Sequence, residues 1–352
     1  MTNCVEHKKS IKCVVWDLDD TIWHGVLLED SKLSLRDNIV ATVKSLDSRG
    51  ILQSIASKNP HTLALAKLRE FGLDEYFLYP EINWNSKASS VKKIAASINI
   101  GRDAIAFIDD QQFEREEVKF SLPEVLCLDP ENLNEILAMP EMTPRFITKD
   151  SSARRMMYLS DIQRKETEAE FVGPQEEFLK SLRMKFTIRR ARPEDLVRAE
   201  ELTVRTNQLN TTGYTYSYDE LNEFMSSDQH KLLIASLTDK YGSYGKIGLA
   251  LIDCRSGIWC LKLLLMSCRV ISRGVGSIMM NHIMRFAKAA NVRLRAEFVP
   301  NGRNRMMYVT YRFANFREVE RRDEVVILET DLSEIQHWPD YVQLDISDAE
   351  EE

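Results

Sequence analysis

The chain has 352 residues, 44% of them apolar, and a formal charge of −7. That length suits two domains with cores of their own, and no apolar run nears the roughly 20 residues a bilayer crossing needs, which excludes a membrane partner. No apolar h-region of the signal-peptide kind follows MTNCVEHKKS, and the six cysteines form no C-x-x-C pair and no Cys/His metal spacing. A cytoplasmic chain with reduced thiols is expected.

From residue 11 to about 128, short apolar strands alternate with helical periods, which predicts a parallel sheet flanked by helices. The run Cys13-Val14-Val15-Trp16 ends in Asp17-Leu18-Asp19-Asp20-Thr21, a buried strand delivering carboxylates to its C-terminal edge. The polar, Gly-broken 21–35 stretch reads as a flap. A helix over 38–49 precedes a strand over 51–56, and a helix over 61–71 precedes a strand over 76–82. A loop over 83–87 and a helix to about residue 98 are followed by strands at 104–108 and 125–128. Periodicity lapses at 140–150. A charged helix over 151–171, capped by Ser151 or Ser152 and stopped at Gly173-Pro174, then connects to a second domain.

That domain starts with a strand near Met184 and a helix over 193–205. Strands follow at 232–238, 246–254 and 258–266, then a helix opened by Arg273-Gly274-Val275-Gly276. A strand at 293–298, a helix at 304–313 and a strand over 316–328 complete it, and the acidic end reads as disordered. The predicted boundaries are 1–148, 149–183, 184–330 and an acidic tail over 331–352. Between 262 and 322, thirteen Lys and Arg face three acids, whereas 323–352 has neither Lys nor Arg. Two readings stand: attraction of an acidic partner, or a surface that compensates itself. Nucleic acid is excluded, since no binding motif accompanies the charge and the chain as a whole is acidic.

Asp17 and Asp19 lie on one side of their strand, about 7 Å apart. Carboxylates that close call for a cation, and a hard divalent ion such as Mg²⁺ implies a phosphate-bearing substrate. Ser57 ends the second strand, Lys87 precedes a helix, and Asp109 and Asp110 end the fourth strand. This series resembles the haloacid dehalogenase (HAD) phosphatase superfamily. The resemblance implies Asp17 as nucleophile, Asp19 as general acid/base, and Ser57 and Lys87 as phosphoryl ligands. It also implies Mg²⁺ on Asp17, the Asp19 carbonyl, and Asp109 or Asp110. The connections leave no room for a large cap.

The order of elements over 184–328 resembles the GNAT N-acetyltransferase fold. There, Gly274 and Gly276 at a helix start would cradle a pyrophosphate, with Arg273 beside them. By the same resemblance Asn304 faces a pantetheine arm and Tyr311 serves as acid toward the thiolate. Ile271 and Asn315 depart from the family pattern. The fold class is thus α/β: a HAD-like Rossmannoid parallel sheet with minimal cap, plus a C-terminal GNAT-like α/β domain.

The strings WDLDDTIWHGVLLED, SIASKNP, FIDDQQFEREEV, RTNQLNTTGYTYS, LLLMSCRVISRGVG and EFVPNGRNRMMY closely resemble FkbH-like glyceryltransferase/phosphatases of polyketide biosynthesis. That resemblance implies transfer of a glyceryl unit from 1,3-bisphosphoglycerate to an acyl carrier protein, as a thioester on its phosphopantetheine arm, with dephosphorylation. The product would supply a methoxymalonyl-type extender unit. Two alternatives are a Mg-dependent phosphatase with a GNAT-like binding module and a coenzyme A-dependent N-acetyltransferase. Leu18 lies where some relatives carry a cysteine, so a thioester on the enzyme would need another thiol. Cys268, after the 258–266 strand and near Arg269 and Arg273, is the best placed, with a structural cysteine as the other reading. Asn207, Gln208 and Asn210 either bind glyceryl hydroxyls or cap a turn. His24, in the flap, either touches substrate or is simply exposed.

Overall fold

The computed structural model describes residues 10–347 except Asn207 and Ser256, with the side chains of Asn132 and Cys268 also outside the description. The chain divides into two compact units, Met1–Leu159 and Ser160–Glu352. In the first, β1 (Cys13–Trp16) is followed by a two-stranded flap of β2 (Trp23–His24) and β3 (Ser34–Leu35). Then come α1 (Ile39–Ser48), β4 (Leu52–Ser57), α2 (His61–Glu70), β5 (Glu81–Ile82) and α3 (Lys87–Ile98). The unit continues through β6 (Ile105–Ile108), α4 (Gln112–Ser121), β7 (Leu126–Leu128) and α5 (Leu133–Ala138). The sheet order is β5-β4-β1-β6-β7, and every pairing is parallel. Every residue of β1, β4 and β6 is buried, which is why β1 and β6 read as unbroken apolar runs rather than alternating ones, while β4 buries Gln53, Ser54 and Ser57 as well. The flap is the only insertion between β1 and α1, so the cap is minimal.

Two local expectations fail here. Of the 76–82 strand only Glu81–Ile82 forms, because Tyr79 sits at φ 49° and Pro80 has no N–H to donate. The 151–171 helix is two helices, α6 (Lys149–Ser152) and α7 (Arg154–Glu170), interrupted at Ala153. Thr148, not Ser151 or Ser152, is the cap: Thr148 and Ser151 form a reciprocal capping box.

The second unit takes up the chain within α7 and continues with α8 (Gln175–Leu182), β8 (Met184–Arg190), α9 (Leu196–Arg205), α10 (Tyr218–Ser226), β9 (His230–Asp239) and β10 (Gly242–Asp253). There follow β11 (Ile258–Met266), α11 (Val275–Ala289), β12 (Arg293–Phe298), α12 (Arg305–Phe313), β13 (Arg317–Arg322), β14 (Val325–Thr330) and β15 (Val342–Ser347). The eight-stranded order is β13-β14-β12-β11-β10-β9-β8-β15, parallel only at β11–β12 and β8–β15. One face carries a large core built with α8, α11 and α12; the other is covered by α9 and α10.

The expected strand over 316–328 is a hairpin, β13–β14, turning at Asp323 with φ 53°. The tail is not wholly disordered. Apolar residues alternate at Val342, Leu344 and Ile346, and β15 covers the β8 edge that would otherwise present unpaired backbone groups. Its acidity is functional in packing: Asp345 pairs with Lys185 at 2.8 Å. Glu329 likewise binds Arg295 and Arg293, so part of the basic 262–322 segment is compensated by the acidic stretch that follows it. Among the described residues no helix is long and apolar enough to cross a membrane. The architecture is α/β throughout: a parallel HAD-like sheet and a separate, mixed GNAT-like sheet.

Candidate active site and candidate arm groove

At the C-terminal edge of β1 the ladder runs one residue further, Asp17 N–H donating to the Ile108 carbonyl at 2.9 Å. This fixes Asp17 at the sheet edge, 5% exposed. Ser86 caps α3 by accepting the Ser89 N–H, so the helix starts at Lys87 and aims its side chain into the same place. Lys87 Nζ, itself buried, donates to Asp17 Oδ1 and, at 3.0 Å, to Asp109 Oδ2. Burial would depress the Lys87 ammonium, but the two carboxylates outweigh it and raise it. Burial pushes the Asp17 carboxyl up to about 6, with Lys87 and a hydrogen bond from Ser57 opposing and Asp109 adding. The Asp109 carboxyl is raised by burial against the pull of Lys87, and that of Asp110 by burial and then by Asp17.

The loop after β6 is held from three sides. Thr21 Oγ1 donates to Asp110 Oδ1 at 3.3 Å and accepts the Asp110 N–H at 3.1 Å. Gln111 N–H donates to Asp109 Oδ1, and the Arg115 guanidinium donates to the Asp109 and Asp110 carbonyls at 2.6 and 2.7 Å. Carboxylate oxygens of Asp17, Asp109 and Asp110 lie within 4.8 Å of one another. Hard anionic oxygens this close, raised by burial and short of countercharge, fit a Mg²⁺-type ion.

Asp19 is set apart from that cluster. Its Oδ1 accepts the Trp23 indole N–H at 2.9 Å and the Leu27 N–H at 3.0 Å, and its Oδ2 accepts from Asn59 Nδ2 at 2.9 Å. The carboxylate therefore takes no place among the metal-ligating groups, and only its main chain remains for that part of the expectation. Asn59 also donates to Ser57 Oγ at 3.1 Å, tying the two predicted residues together. Asn59, Thr21 and Arg115 were not singled out from the sequence. Asn59 had a signal, two residues past Ser57 and just before Pro60; Arg115 had none. His24 is exposed on β2 and lines a polar cavity with Arg36 and Asn134, not the carboxylate cluster.

In the second unit β11 and β12 pair only from Ile258↔Arg293 to Leu261↔Ala296; beyond that they splay. Beside the splay is a groove of about 340 Å³, lined by Leu264 and Met266 of β11, Gly274, Gly276 and Met280 at the start of α11, and Met306, Met307 and Thr310 of α12. Gly274 sits at φ 71° against the Tyr341 hydroxyl, so a side chain there is barred by both conformation and space. Among the described residues lining the groove none carries a charge.

Three predicted residues do not face it as expected. Arg273 is 5% exposed, stacked over the Phe178 ring at 5.7 Å with Nη1 3.3 Å from Glu168, and does not line the groove. Asn304 is buried, its amide donating to the carbonyls of Val299, Asn210 and Thr211 at 2.9, 3.0 and 3.3 Å. Tyr311 is fully buried beside Thr211 and lines no part of the groove, its phenol pushed up by burial with Thr211 opposing. Asn315, in place of the family's glycine, takes φ 60° after α12 and so supplies the same turn.

Asn210 caps a turn, its Oδ1 accepting the Thr212 and Gly213 N–H groups, and Gln208 is exposed. Asn207 and the Cys268 side chain lie outside the described residues. Burial pushes the Cys127, Cys254 and Cys260 thiols up to about 11 and Cys13 higher, so none of these four is primed as a nucleophile.

The sheet order, minimal cap and carboxylate placement give the first unit a HAD-like fold. The mixed sheet, with a splayed parallel pair beside a glycine-opened helix, defines the second as a GNAT-type domain. No family model matches the sequence, and no curated protein does. Among solved structures, one similar over 39% of this chain is the N-terminal part, containing a phosphatase domain, of a Bacteroides fragilis protein complexed with Mg. Identity is 29%, the TM-score is 0.31, and the match spans 41% of that structure's length. The ribosomal-protein-S18-alanine N-acetyltransferase of Escherichia coli is similar over 42% of this chain and 95% of its own, at 16% identity and TM-score 0.34. The PaiA N-acetyltransferase of Thermoplasma acidophilum, solved with coenzyme A, is similar over 42% and 98%, at 15% identity and TM-score 0.34.

Proposed function

We propose that the protein is a Mg²⁺-dependent phosphatase and glyceryl transferase that loads a glyceryl unit from 1,3-bisphosphoglycerate onto the phosphopantetheine thiol of an acyl carrier protein, in the manner of FkbH-like proteins. The observation that carries the phosphoryl half is the buried Asp17–Lys87–Asp109 cluster with Asp110 alongside. An Asp17 oxygen attacks phosphorus, and the departing alkoxide takes a proton from Asp19, whose carboxyl Trp23, Leu27 and Asn59 orient. Water, giving its proton back to Asp19, then cleaves the aspartyl phosphate and releases inorganic phosphate. Lys87 offsets the charge that develops on the transferring group. Mg²⁺, held by Asp17, Asp109 and Asp110, would supply further charge neutralisation there. The thioester forms when the arm's thiol attacks the acyl-phosphate carbonyl and phosphate leaves.

The motif strings support glyceryl transfer in particular, and the uncharged groove suits a carrier's arm better than the diphosphate of coenzyme A. The N-acetyltransferase alternative is disfavoured by the positions of Arg273 and Tyr311. A free phosphatase with a binding module is the second reading, favoured by the completeness of the carboxylate and Lys87 cluster within the first unit. The separating experiment is mass spectrometry of a carrier protein incubated with enzyme, Mg²⁺ and 1,3-bisphosphoglycerate. Wild type gives a glyceryl adduct and Asp17→Asn does not release the second phosphate. Cys268→Ala reports whether the acyl group passes through that thiol. Phosphate release without any adduct assigns the free phosphatase instead.

A further inference from the structure

An extended arm bearing amides binds a strand edge as an added strand would, through backbone donors and acceptors left free by a splay. In the second unit those groups are already taken. Where β11 leaves β12, the 209–211 segment enters between them. Thr211 N–H donates to the Leu264 carbonyl at 3.1 Å, and Leu264 N–H donates to Thr211 Oγ1 at 3.0 Å. Met266 N–H donates to the Leu209 carbonyl at 2.9 Å. On the other side, Val299 N–H donates to the Thr211 carbonyl at 3.0 Å. One short stretch thus bridges both parallel strands.

The stretch is locked in place. Asn210 and Thr211 are wholly buried, Asn304 holds two of its carbonyls from α12's start, and Asn210 turns the chain away through Thr212 and Gly213. Leu209 joins the large core and forms part of the groove wall. Beneath it the Tyr311 hydroxyl is sealed from any thiol.

We propose that 209–211 is a resident strand that seals the splay, so that the second unit seats an uncharged amide arm of the pantetheine class only in the methionine-lined groove, without strand addition to β11. Leu209, Thr211 and Asn304 are then specificity-determining: they close the path through the sheet by which such a fold would pass an acyl group to an amine. The inference rests on the reading of this unit as the holder of a carrier's arm.

The test uses the full chain and pantetheine as probe, with hydrogen exchange and calorimetric titration. Bound probe slows exchange in peptides covering 270–281 and 306–314 and leaves 209–211, 264–266 and 299 unchanged. Thr310→Arg and Ser277→Arg, both on the groove's rim, each weaken binding at least tenfold. Asn304→Ala, which loosens the seal, leaves affinity within threefold. Faster exchange at 209–211 on adding probe, slowed exchange at 264–266 in wild type, or no slowing at the groove peptides would each overturn the proposal. The same titration in Asp17→Asn keeps the two readings apart. Unchanged groove binding with a failed carrier-loading assay sinks the proposed function alone, and the reverse sinks the seal alone.

Discussion

Replacing Asp17 with Asn should make the protein more stable while abolishing phosphoryl transfer. Burial holds the Asp17 carboxyl at about 6 in the fold, against 3.8 for the ordinary group. A carboxyl raised in this way binds its proton more readily folded than unfolded. Its stabilising contribution is therefore complete below about pH 4 and is lost as pH rises through about 6. At pH 7 the ionised Asp17 costs the fold about 3 kcal/mol, taking 1.36 kcal/mol per pKa unit. Asn keeps the shape and removes the charge, so Asp17→Asn should gain about 2–3 kcal/mol at pH 7 and roughly nothing at pH 4. At about 2–4 °C per kcal/mol, the first unit's transition rises by about 5–10 °C at neutral pH. The assay is thermal unfolding of wild type and variant at both pH values with a chelator present. A variant less stable than wild type at pH 7, or a gain of equal size at pH 4, would refute the claim that the cluster is held at a cost.

Adding Mg²⁺ at a hundredfold its Kd should stabilise wild type by about 2.7 kcal/mol and raise its melting temperature, with the effect weakened in Asp17→Asn. Lys87→Met leaves Asp17 and Asp109 buried without their cation. Guanidinium titration at pH 7 should show a loss of about 3–5 kcal/mol, smaller at pH 5 where the Asp17 carboxyl protonates. Asn59→Ala frees one oxygen of Asp19, and turnover of a phosphate monoester should fall about tenfold with an altered pH profile and little change in KM. Arg164 is fully buried, bonded to Asp239 at 2.7 and 2.8 Å and stacked 3.8 Å over Tyr244. Arg164→Met strands Asp239 in the core, and unfolding of the second unit should come about 3–5 kcal/mol sooner.

The first unit was readable because its chemistry is written at strand ends. A run of buried apolar residues followed by Asp, Ser or Asp-Asp marks both the strand and the edge where it stops, so Asp17, Ser57 and Asp109 could be placed together before any coordinates. Lys87 is legible only as a lysine just before a helix; that Ser86 caps α3 and makes Lys87 its first residue emerges from the structure. Asn59 and Thr21 sit inside the same motifs but act through hydrogen bonds to residues 40 and 89 positions away, and such pairings leave no periodic trace. The 76–82 strand was overread because apolar content stood in for geometry that Tyr79 and Pro80 deny. The tail was underread because its acids masked the alternation of Val342, Leu344 and Ile346.

The second unit shows the sharper limit. Gly274, Asn304 and Tyr311 occupy the right elements, yet Tyr311 is buried and Asn304 is turned to other work by a segment about a hundred residues earlier in the sequence. An asparagine at a helix start reads the same whether it faces an arm or holds the backbone that has replaced that arm. What decides is whether the carbonyls in reach belong to a ligand or to the chain, and here they belong to Asn210, Thr211 and Val299. Fold resemblance therefore fixes where a residue stands, while the use of its hydrogen bonds fixes what it does.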